Sequence, residues 1–477
     1  MSFTVDPERL VGLYYEMFWP TMPMTLPLQY LRLRRSTQPQ DLELLLLVMQ
    51  FIGSIYAPWT PSDPFQLAAR QAVMQPNLPK TGFTVQALLI FAVAEYHLDH
   101  GLSEIRRPLD NAISLGLEIQ MHKREFAYQH GEGNPVLEES WRRTFYLLHV
   151  TDQHAAVVAS SPFFVMRDLP NLVDLPCDDE YYQSGQIPPS VSWEEYQVRE
   201  FAEIEVIYSS IVYLYDIAQV ITYVMKTFLA TGTFADDLIA GVDAKVAAWR
   251  ALLPASKKDP LRQDGTVDEI MFLAHLVGAI VVMNIHRPFS ALSYSAEELS
   301  AKSFNSHVPL IGPQRQSRGT HTARALKAAE LQTRLLAIPC QAEKHPLFTA
   351  CIAAAIAVAE ISACNVLLDD HALSIARDRV RLSIGFLRQM GTIWPLARHM
   401  ADEVKYIARS TLVGTSITRG PEPDPAAVIE IPRDELIWPV HPQAAVDIYS
   451  GIVLPPFEVA SEQTPATASS AMEPNLG

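Results

Sequence analysis

The 477-residue chain has little glycine and little cysteine. Only 20 glycines are present, which disfavours a sheet-rich fold with many tight turns. The four cysteines stand singly, at Cys177, Cys340, Cys351 and Cys364, and no C-x-x-C pair occurs. The spacing therefore indicates neither a zinc module nor a disulfide framework, and a reducing compartment is expected.

Positive charge is also scarce. The chain has 37 Lys and Arg against 53 Asp and Glu, a formal net charge of -16. This balance argues against broad electrostatic attachment to nucleic acid by the chain alone, although it leaves room for a local basic patch. Asp6 and Glu8 precede any apolar run, so no secretory signal is predicted. The most apolar window, 270–285, is broken by His275 and Asn284 and is shorter than a bilayer span. We expect a soluble intracellular protein without membrane partners.

Motifs of common enzyme sites are absent. There is no G-x-S-x-G elbow, no G-x-x-x-x-G-K-[ST] loop, and no dinucleotide fingerprint at Gly131 and Gly133. A magnesium-diphosphate site of the isoprenoid-enzyme type needs carboxylates one helical turn apart. The acidic runs are instead consecutive, at Asp178-Asp179-Glu180 and Asp369-Asp370-His371. We interpret the first run as a solvated loop and predict no catalytic residue.

The histidines do not form a metal-binding pattern. His97 and His100 stand three apart, but no third or fourth ligand has a matching spacing. His97 is better explained as a histidine at a helix C-terminus, favoured by the helix dipole. His275 and His286 lie within a predicted apolar helix and are expected to be hydrogen-bonded core residues. We predict no metal-ligating or cofactor-binding residue and no cofactor.

Short basic clusters recur along the chain. They are Arg32/Arg34/Arg35, Arg142/Arg143, Lys257/Lys258 and Arg377/Arg379/Arg381. Each lies inside or beside a predicted helix, so ion pairs or solvated faces explain them more simply than a nucleic-acid groove does. The first cluster is weak evidence for a nuclear import signal.

Apolar residues recur with helical spacing up to residue 410, and no strand alternation stands out before about residue 425. The predicted helices cover residues 7–18, 41–56, 65–75, 85–97, 106–119, 135–158, 193–223, 234–253, 268–286, 322–337, 346–368, 372–390 and 394–410. Helices of about 12 to 15 residues with short connections are typical of stacked helical pairs. The predicted fold class is all-α, a multi-helical array of packed antiparallel helices. The helical domain is assigned to residues 1–412, and 413–477 to an acidic, Pro/Ala-rich tail that is partly disordered.

The best-marked helix begins at residue 135. Asn134 can cap its first turn, Pro135 suits its first position, and Pro162 stops it. Similarly, Thr84 is predicted to cap helix 85–97. One buried stripe of the 135–158 helix consists of Trp141, Phe145, Leu148, Ala155 and Val158. An extended Asp/Pro segment then runs to residue 176.

Several of these stretches, in order, resemble the fungal-specific transcription factor domain, the regulatory middle region of fungal binuclear zinc-cluster regulators. Residues 10–20 are similar to its opening helix and 86–122 to its central helical pair. Residues 139–152, E-S-W-R-R-T-F-Y-L-L-H-V-T-D, are similar to the family's E-x-x-R-R-x-F-W-x-x-x-x-x-D helix. I-H-R-P-F at 285–289 and W-P-L-A at 394–397 resemble its later motifs.

The chain departs from the family pattern in two places. Asp152-Gln153 and Ser160-Ser161-Pro162 stand where the family usually has Asp-Arg and Gly-Arg-Pro, so the local polar network must differ. The resemblance leads us to expect intramolecular ion partners at Glu139, Arg142, Arg143 and Asp152. The family's six-cysteine cluster, which binds two zinc ions ahead of this domain, is not found in this sequence.

The resemblance implies a transcription regulator in the nucleus and not an enzyme. We expect it to reach DNA only indirectly, through a DNA-binding regulator or the transcription machinery, unless the gene model is truncated. The expected process is control of a specialised-metabolite gene cluster, with a small-molecule inducer. Two alternatives stay open: a helical isoprenoid-type enzyme, and a ligand-sensing or interaction module without a transcriptional role.

Overall fold

Caps and prolines divide the chain into helices, and the structure, a computed structural model, describes residues 6–98, 102–303, 309, 311–312, 315–366 and 370–414. In the described residues up to 184 the helices are α1 (Pro7–Leu13), α2 (Leu28–Thr37), α3 (Glu43–Ile55), α4 (Asp63–Val73), α5 (Gly82–His97), α6 (Leu102–Glu118), α7 (Arg124–Gln129), α8 (Pro135–Val158) and α9 (Asp179–Ser184). They are followed by α10 (Trp193–Gln197), α11 (Ser210–Thr231), α12 (Asp236–Ala251), α13 (Glu269–His286), α14 (Ala296–Leu299), α15 (Arg318–Leu336), α16 (Thr349–Val366), α17 (Asp370–Met390) and α18 (Pro395–Gly414).

Short helical turns fill several connections. A π-helical turn at Tyr14–Phe18 continues α1, and 3-10 turns lie at Trp19–Thr21, Pro39–Leu42, Val165–Asp168, Arg199–Phe201, Ala255–Lys257, Arg287–Phe289 and Ala342–Lys344. Within the described residues β-structure is limited to isolated bridges. The predicted all-α fold is confirmed. Residues 415–477 lie outside the described part, so the tail and the domain boundary at residue 412 stay predictions.

The start of α8 confirms the strongest local prediction. The Oδ1 of Asn134 accepts a hydrogen bond from the backbone N–H of Val136 at 3.0 Å, and Pro135 occupies the first helical position. The predicted cap of α5 is wrong. Thr81 has the extended backbone of an N-cap, and its Oγ1 accepts from the N–H of Thr84 at 3.2 Å. Thr84 is therefore already inside the helix.

The predicted helix at 193–223 is also wrong, because two helices occupy this stretch. Ser192 and Glu195 form a reciprocal capping box at the start of α10, and the Ser209 side chain caps α11. The chain between them is irregular and exposed, with Phe201 and Ile204 among its most exposed side chains. Capping serines at both starts override the apolar pattern that suggested one long helix.

Three helices, α5, α13 and α16, are buried on nearly all sides and carry the middle of the core. α5 packs against α3, α6 and α8; α13 against α11, α12, α15 and α16; and α16 also against α17 and α18. The segment Glu269–Phe289 is long and apolar enough to cross a membrane, although 72% of its most apolar window is buried by other helices. Its length exceeds the sequence-based expectation because the 3-10 turn extends it.

Gly53 allows α1 and α3 to approach closely. A Cβ at Gly53 would collide with the backbone carbonyl oxygen of Leu10, whereas a Cβ at Gly12, on α1, would meet nothing within 4 Å. A backbone atom cannot move aside as the end of a flexible side chain can. Gly53 is therefore needed for the close approach of the two helices, whereas Gly12 is not.

We predict that Gly53→Ala lowers the free energy of unfolding by about 1–3 kcal/mol, because the helices must separate. Gly12→Ala is the matched control and should be neutral or stabilising by about 0.5–1 kcal/mol, since alanine favours a helix over glycine. Chemical denaturation of both variants measures the difference. Equal effects of the two substitutions would show that α1 and α3 do not make this close approach.

Candidate functional site

A fully buried arginine lies in the first half of α8. Arg143 has no solvent exposure, and its Nε donates to Glu139 Oε1 at 2.8 Å, one turn earlier on the same helix. Its Nη1 donates to Asp179 Oδ1 on α9 at 2.7 Å. The remaining donors reach the backbone carbonyls of Pro23 at 3.2 Å and Cys177 at 2.8 Å. One guanidinium thus joins two distant parts of the chain, at Pro23 and at 177–179, to α8.

The charges around Arg143 stabilise one another. Burial by itself would lower the pKa of Arg143, but the carboxylates of Asp179 and Glu139 outweigh it and raise that pKa. Burial raises the pKa of Glu139, against the opposing effect of Arg143. The guanidinium carbon also lies 4.1 Å from the ring centroid of Tyr182, a cation–π contact. The expected ion-partner roles of Glu139 and Arg143 are confirmed.

Lys257 forms a second buried cluster. Its Nζ lies 2.9 Å from Asp178 Oδ2 and 3.3 Å from Asp268 Oδ2, and it donates to Ser210 Oγ at 2.9 Å. The interpretation of the acidic run at 178–180 as a solvated loop is wrong, because Asp178 and Asp179 accept from buried cations and their run starts α9. The cations come from distant parts of the chain, so the run alone could not reveal them. Both carboxylates are engaged by cations of the chain.

Asp152 lies in the second half of α8 and is fully buried. Its Oδ1 lies 3.4 Å from Arg106 Nη2, and its Oδ2 accepts from the backbone N–H of Met166 at 2.9 Å. Burial raises its pKa to about 6, while Arg106 opposes the shift. The neighbouring Gln153 donates its Nε2 to the carbonyl of Ala218 at 2.9 Å. An amide therefore joins α8 to α11 where the family usually has an arginine.

The structure corrects one histidine and confirms two. His97 is buried and its pKa is lowered to about 4 by burial, so it is neutral and not a cation favoured by the helix dipole. His100 lies outside the described residues, as does Asp369 of the second acidic run. The Nε2 of His275 bonds the carbonyl of Lys257 at 3.1 Å, and His286 lies between Asp243 at 3.1 Å and His321 at 2.9 Å. Both are hydrogen-bonded core residues.

The basic clusters are largely ion-paired. Arg34 bonds Asp41 and Glu132, Arg35 pairs with Glu8, Arg142 pairs with Glu138 and Glu139, and Arg381 pairs with Asp378. Lys257 is buried, which a solvated face does not explain, whereas Lys258 is exposed. Ion pairing is therefore the confirmed interpretation for these side chains.

The four cysteines are free and have different neighbours. Cys177 adjoins the Arg143 cluster, Cys351 lies 3.9 Å from the hydroxyl of Tyr96, and Cys340 lies 2.9 Å from His345. Among the described residues, no group of three or more His, Cys, Asp or Glu side chains is arranged to hold a metal ion. These cysteines therefore do not fit a six-cysteine zinc cluster.

A cavity of about 240 Å³ lies among α8, α11, α13 and α16. Its walls are mostly apolar; they include Val150, Val157, Leu214, Ile221, Leu273, Val277, Ile280, Phe348, Ile352 and Ala355. Val157 and Asn284 line the cavity and are also exposed at the protein surface, so the cavity opens to solvent. The second half of α8 thus forms one wall of a pocket, while its first half holds the buried ions.

Among the described residues that line this pocket, the polar groups carry no unmatched charge. Arg287 is neutralised by Glu298, with Nη1–Oε1 and Nη2–Oε2 distances of 2.6 and 2.7 Å, and its guanidinium stacks 4.0 Å from the Tyr294 ring centroid. His154 packs on Phe348 with centroids 3.8 Å apart, and burial together with the nearby His97 lowers its pKa to about 3. The pocket therefore favours an uncharged, largely apolar molecule over an anion or cation.

The pocket size sets an approximate ligand size. An apolar cavity of about 150 Å³ holds benzene, so in proportion this one holds about ten non-hydrogen atoms, with room to extend through the opening. No sequence motif predicted this site. On α8 its signal is the series Val150, Gln153, His154, Val157 and Val158, which has the same spacing as an ordinary core-facing stripe.

Among known proteins, the chain is similar to the C6 finger domain transcription factor iacK of Pestalotiopsis fici. The two are 30% identical over 409 residues, which cover 84% of this chain and 59% of that protein. The chain thus spans less than two thirds of the length of this relative. No family model matches the chain, and no solved structure matches it. The similarity is to a transcription factor and not to an enzyme.

We predict that Arg143→Ala lowers the free energy of unfolding by about 3–5 kcal/mol, because it leaves the half-buried Asp179 without its cation and the buried Glu139 with Arg142 alone. This is larger than the effect of losing one ordinary hydrogen bond. Arg381→Ala removes an exposed arginine paired with Asp378 and should change stability by less than about 1 kcal/mol. Thermal and urea unfolding of both variants give the comparison. A neutral result for Arg143→Ala would contradict its burial.

We predict that leucine is tolerated at Ala355 and not at Ala353. Ala355 lines the cavity, and its larger replacement has space to enter it, so the unfolding free energy should be unchanged or higher by about 0.5–2 kcal/mol. Ala353 lies on the same helix and is fully buried by neighbours, so Ala353→Leu should cost about 1–3 kcal/mol. The melting temperatures of the pair test whether the cavity exists in solution. Equal destabilisation would argue that it does not.

Proposed function

We propose that this chain is the regulatory body of a transcription regulator of the C6 finger class and acts in the nucleus. The observation that carries the proposal is the similarity to a transcription factor over 84% of the chain. The all-α fold and the ion pairs of Glu139, Arg142 and Arg143 support it, since the E-S-W-R-R stretch supplies these contacts.

We further propose that sequence-specific contact with DNA comes from outside these 477 residues. The four free cysteines do not come together as a zinc cluster, and the net charge of -16 disfavours attachment along a DNA backbone. The DNA-reading module belongs either to a partner regulator or to a further part of the same polypeptide. The chain itself supplies a docking platform for that partner or for the transcription machinery.

The target is proposed to be a gene cluster for a specialised metabolite. The support is the resemblance to fungal zinc-cluster regulators, which are commonly encoded within such clusters. Deletion of the gene in its host, followed by transcript profiling, tests this. Loss of expression across one neighbouring cluster is the expected result, and unchanged transcripts would overturn the transcriptional role.

The pocket is proposed to receive the inducer. An uncharged ligand of about ten non-hydrogen atoms would contact α8, α11, α13 and α16 together. Such a ligand stabilises the packed arrangement in proportion to the logarithm of its concentration over its dissociation constant. The regulatory consequence is a change in how the helical body presents the acidic segment at 413–477.

The isoprenoid-enzyme alternative has less support. Its carboxylates would be Asp178 and Asp179, and each accepts from a buried cation of the chain. Magnesium-dependent turnover of a prenyl diphosphate, lost in Asp178→Ala/Asp179→Ala, would establish the alternative.

We predict that tethering the chain to a foreign DNA-binding domain changes the output of a reporter gene, and that removal of residues 420–477 alters this output. Ala355→Phe, which fills the pocket, should abolish the response to a culture extract that contains the inducer while leaving the basal output intact. Arg381→Ala serves as the surface control in the same assay. A truncated chain with unchanged output would contradict the role of the tail, and a full response from Ala355→Phe would contradict the role of the pocket.

A further inference from the structure

A cysteine, a histidine and a glutamate lie in line at the start of α13. Cys340 Sγ is 2.9 Å from His345 Nε2, and His345 Nδ1 is 2.7 Å from Glu269 Oε2. Cys340 and His345 belong to the connection between α15 and α16, and Glu269 is the first residue of α13. The three side chains come together although Glu269 is distant in sequence.

The imidazole of His345 is held rigidly. Its side chain has no solvent exposure, and its ring stacks parallel to that of Phe272, with centroids 4.0 Å apart and planes 7° apart. Phe386 packs nearby, with centroids 5.5 Å apart. The ring is therefore fixed with one nitrogen towards the carboxylate and the other towards the sulfur.

The imidazole is cationic at neutral pH. Burial would lower the pKa of His345, but its hydrogen bonds to Cys340 and Glu269 outweigh burial and raise this pKa to about 9. Both ring nitrogens therefore carry protons, and Nε2–H donates towards Cys340 Sγ. Cys340 Sγ also lies 3.1 Å from the backbone carbonyl oxygen of Ile338, which accepts the thiol proton. Once that proton is lost, the thiolate, which is the nucleophilic form of cysteine, accepts from His345.

Burial dominates the environment of the other three cysteines, although the Arg143 guanidinium opposes its effect on the pKa of Cys177. Burial raises the pKa of Cys177, Cys351 and Cys364, to about 11 for the latter two, and the charge of Glu139 adds to the effect at Cys177. Among these four thiols, only Cys340 lies beside a histidine cation in the described structure. Cys340 is half-buried, as are Cys177 and Cys351, whereas Cys364 is buried.

We propose that Cys340 is a reactive thiol that hydrogen peroxide oxidises to a sulfenic acid, with His345 as its activating partner and Glu269 as a positioning residue. The thiolate sulfur attacks one peroxide oxygen, so that an S–O bond forms and the O–O bond breaks. The sulfur loses two electrons and the peroxide gains them. The leaving hydroxide takes the Nε2 proton of His345 and departs as water. This modification site does not depend on the proposed transcriptional role.

The test uses the reduced, full-length chain treated with hydrogen peroxide in the presence of dimedone, which traps sulfenic acids. Peptide mass spectrometry then gives a rate for each of the four cysteines. We expect adducts at Cys340 to form at least about tenfold faster than at the other three. Rates at Cys340 equal to or below the others would overturn the proposal without affecting the proposed function.

Variants separate activation from simple exposure. His345→Gln and Glu269→Gln should each slow trapping and iodoacetamide alkylation at Cys340 by about tenfold, and Glu269→Asp should restore part of the rate. Glu343→Gln is the matched control, because Glu343 lies in the same connection and bonds Gln389 instead of His345. Circular dichroism shows whether a variant is folded; unfolding raises all four rates together. Folded variants with unchanged Cys340 rates would contradict activation by His345.

Discussion

The structure depends on the neutralisation of one buried guanidinium. Arg143 is a large, fully buried side chain, and a charge that far from water is tolerated only if its partners are complete. Glu139 supplies a partner within α8, Asp179 supplies one from α9, and carbonyls on both sides use the other donors. This requirement fixes where Pro23 and the segment at 177–179 must pass, and thus the path of the chain around α8.

The same helix has two regions with different physical character. Its first half is held in place by buried ion pairs. Its second half faces the cavity with apolar and neutral polar side chains. The acids of α9 extend the ion-paired region to Lys257, which Asp268 joins to the start of α13. α13 in turn forms another cavity wall. The ion pairs of Arg143 and Lys257 thus position helices whose other ends form the pocket, and the pocket walls themselves are held mainly by apolar contacts.

Local signals predicted the parts of the fold that local physics decides. The N-cap at Asn134, the proline after it and the periodic apolar residues were sufficient to define α8. The prediction of a single helix at 193–223 was wrong, because a run of helix-favouring residues does not show that a second helix starts at the Ser209 cap. The interpretation of Asp178 and Asp179 as part of a solvated loop was wrong, because their cationic partners lie far away in sequence. The pocket was invisible for a related reason: each of its four walls looks like the ordinary inner face of a core helix.

The apolar character of α13 affects how the chain is made. Two of the helices that cover it, α11 and α12, precede it, but α15 and α16 follow it. At about 5–20 residues per second, synthesis from the end of α13 to the end of α16 takes roughly 4 to 16 seconds. During that interval a segment apolar enough for a membrane is only partly covered. The unfinished chain therefore exposes an apolar surface that favours aggregation until α15 and α16 cover it.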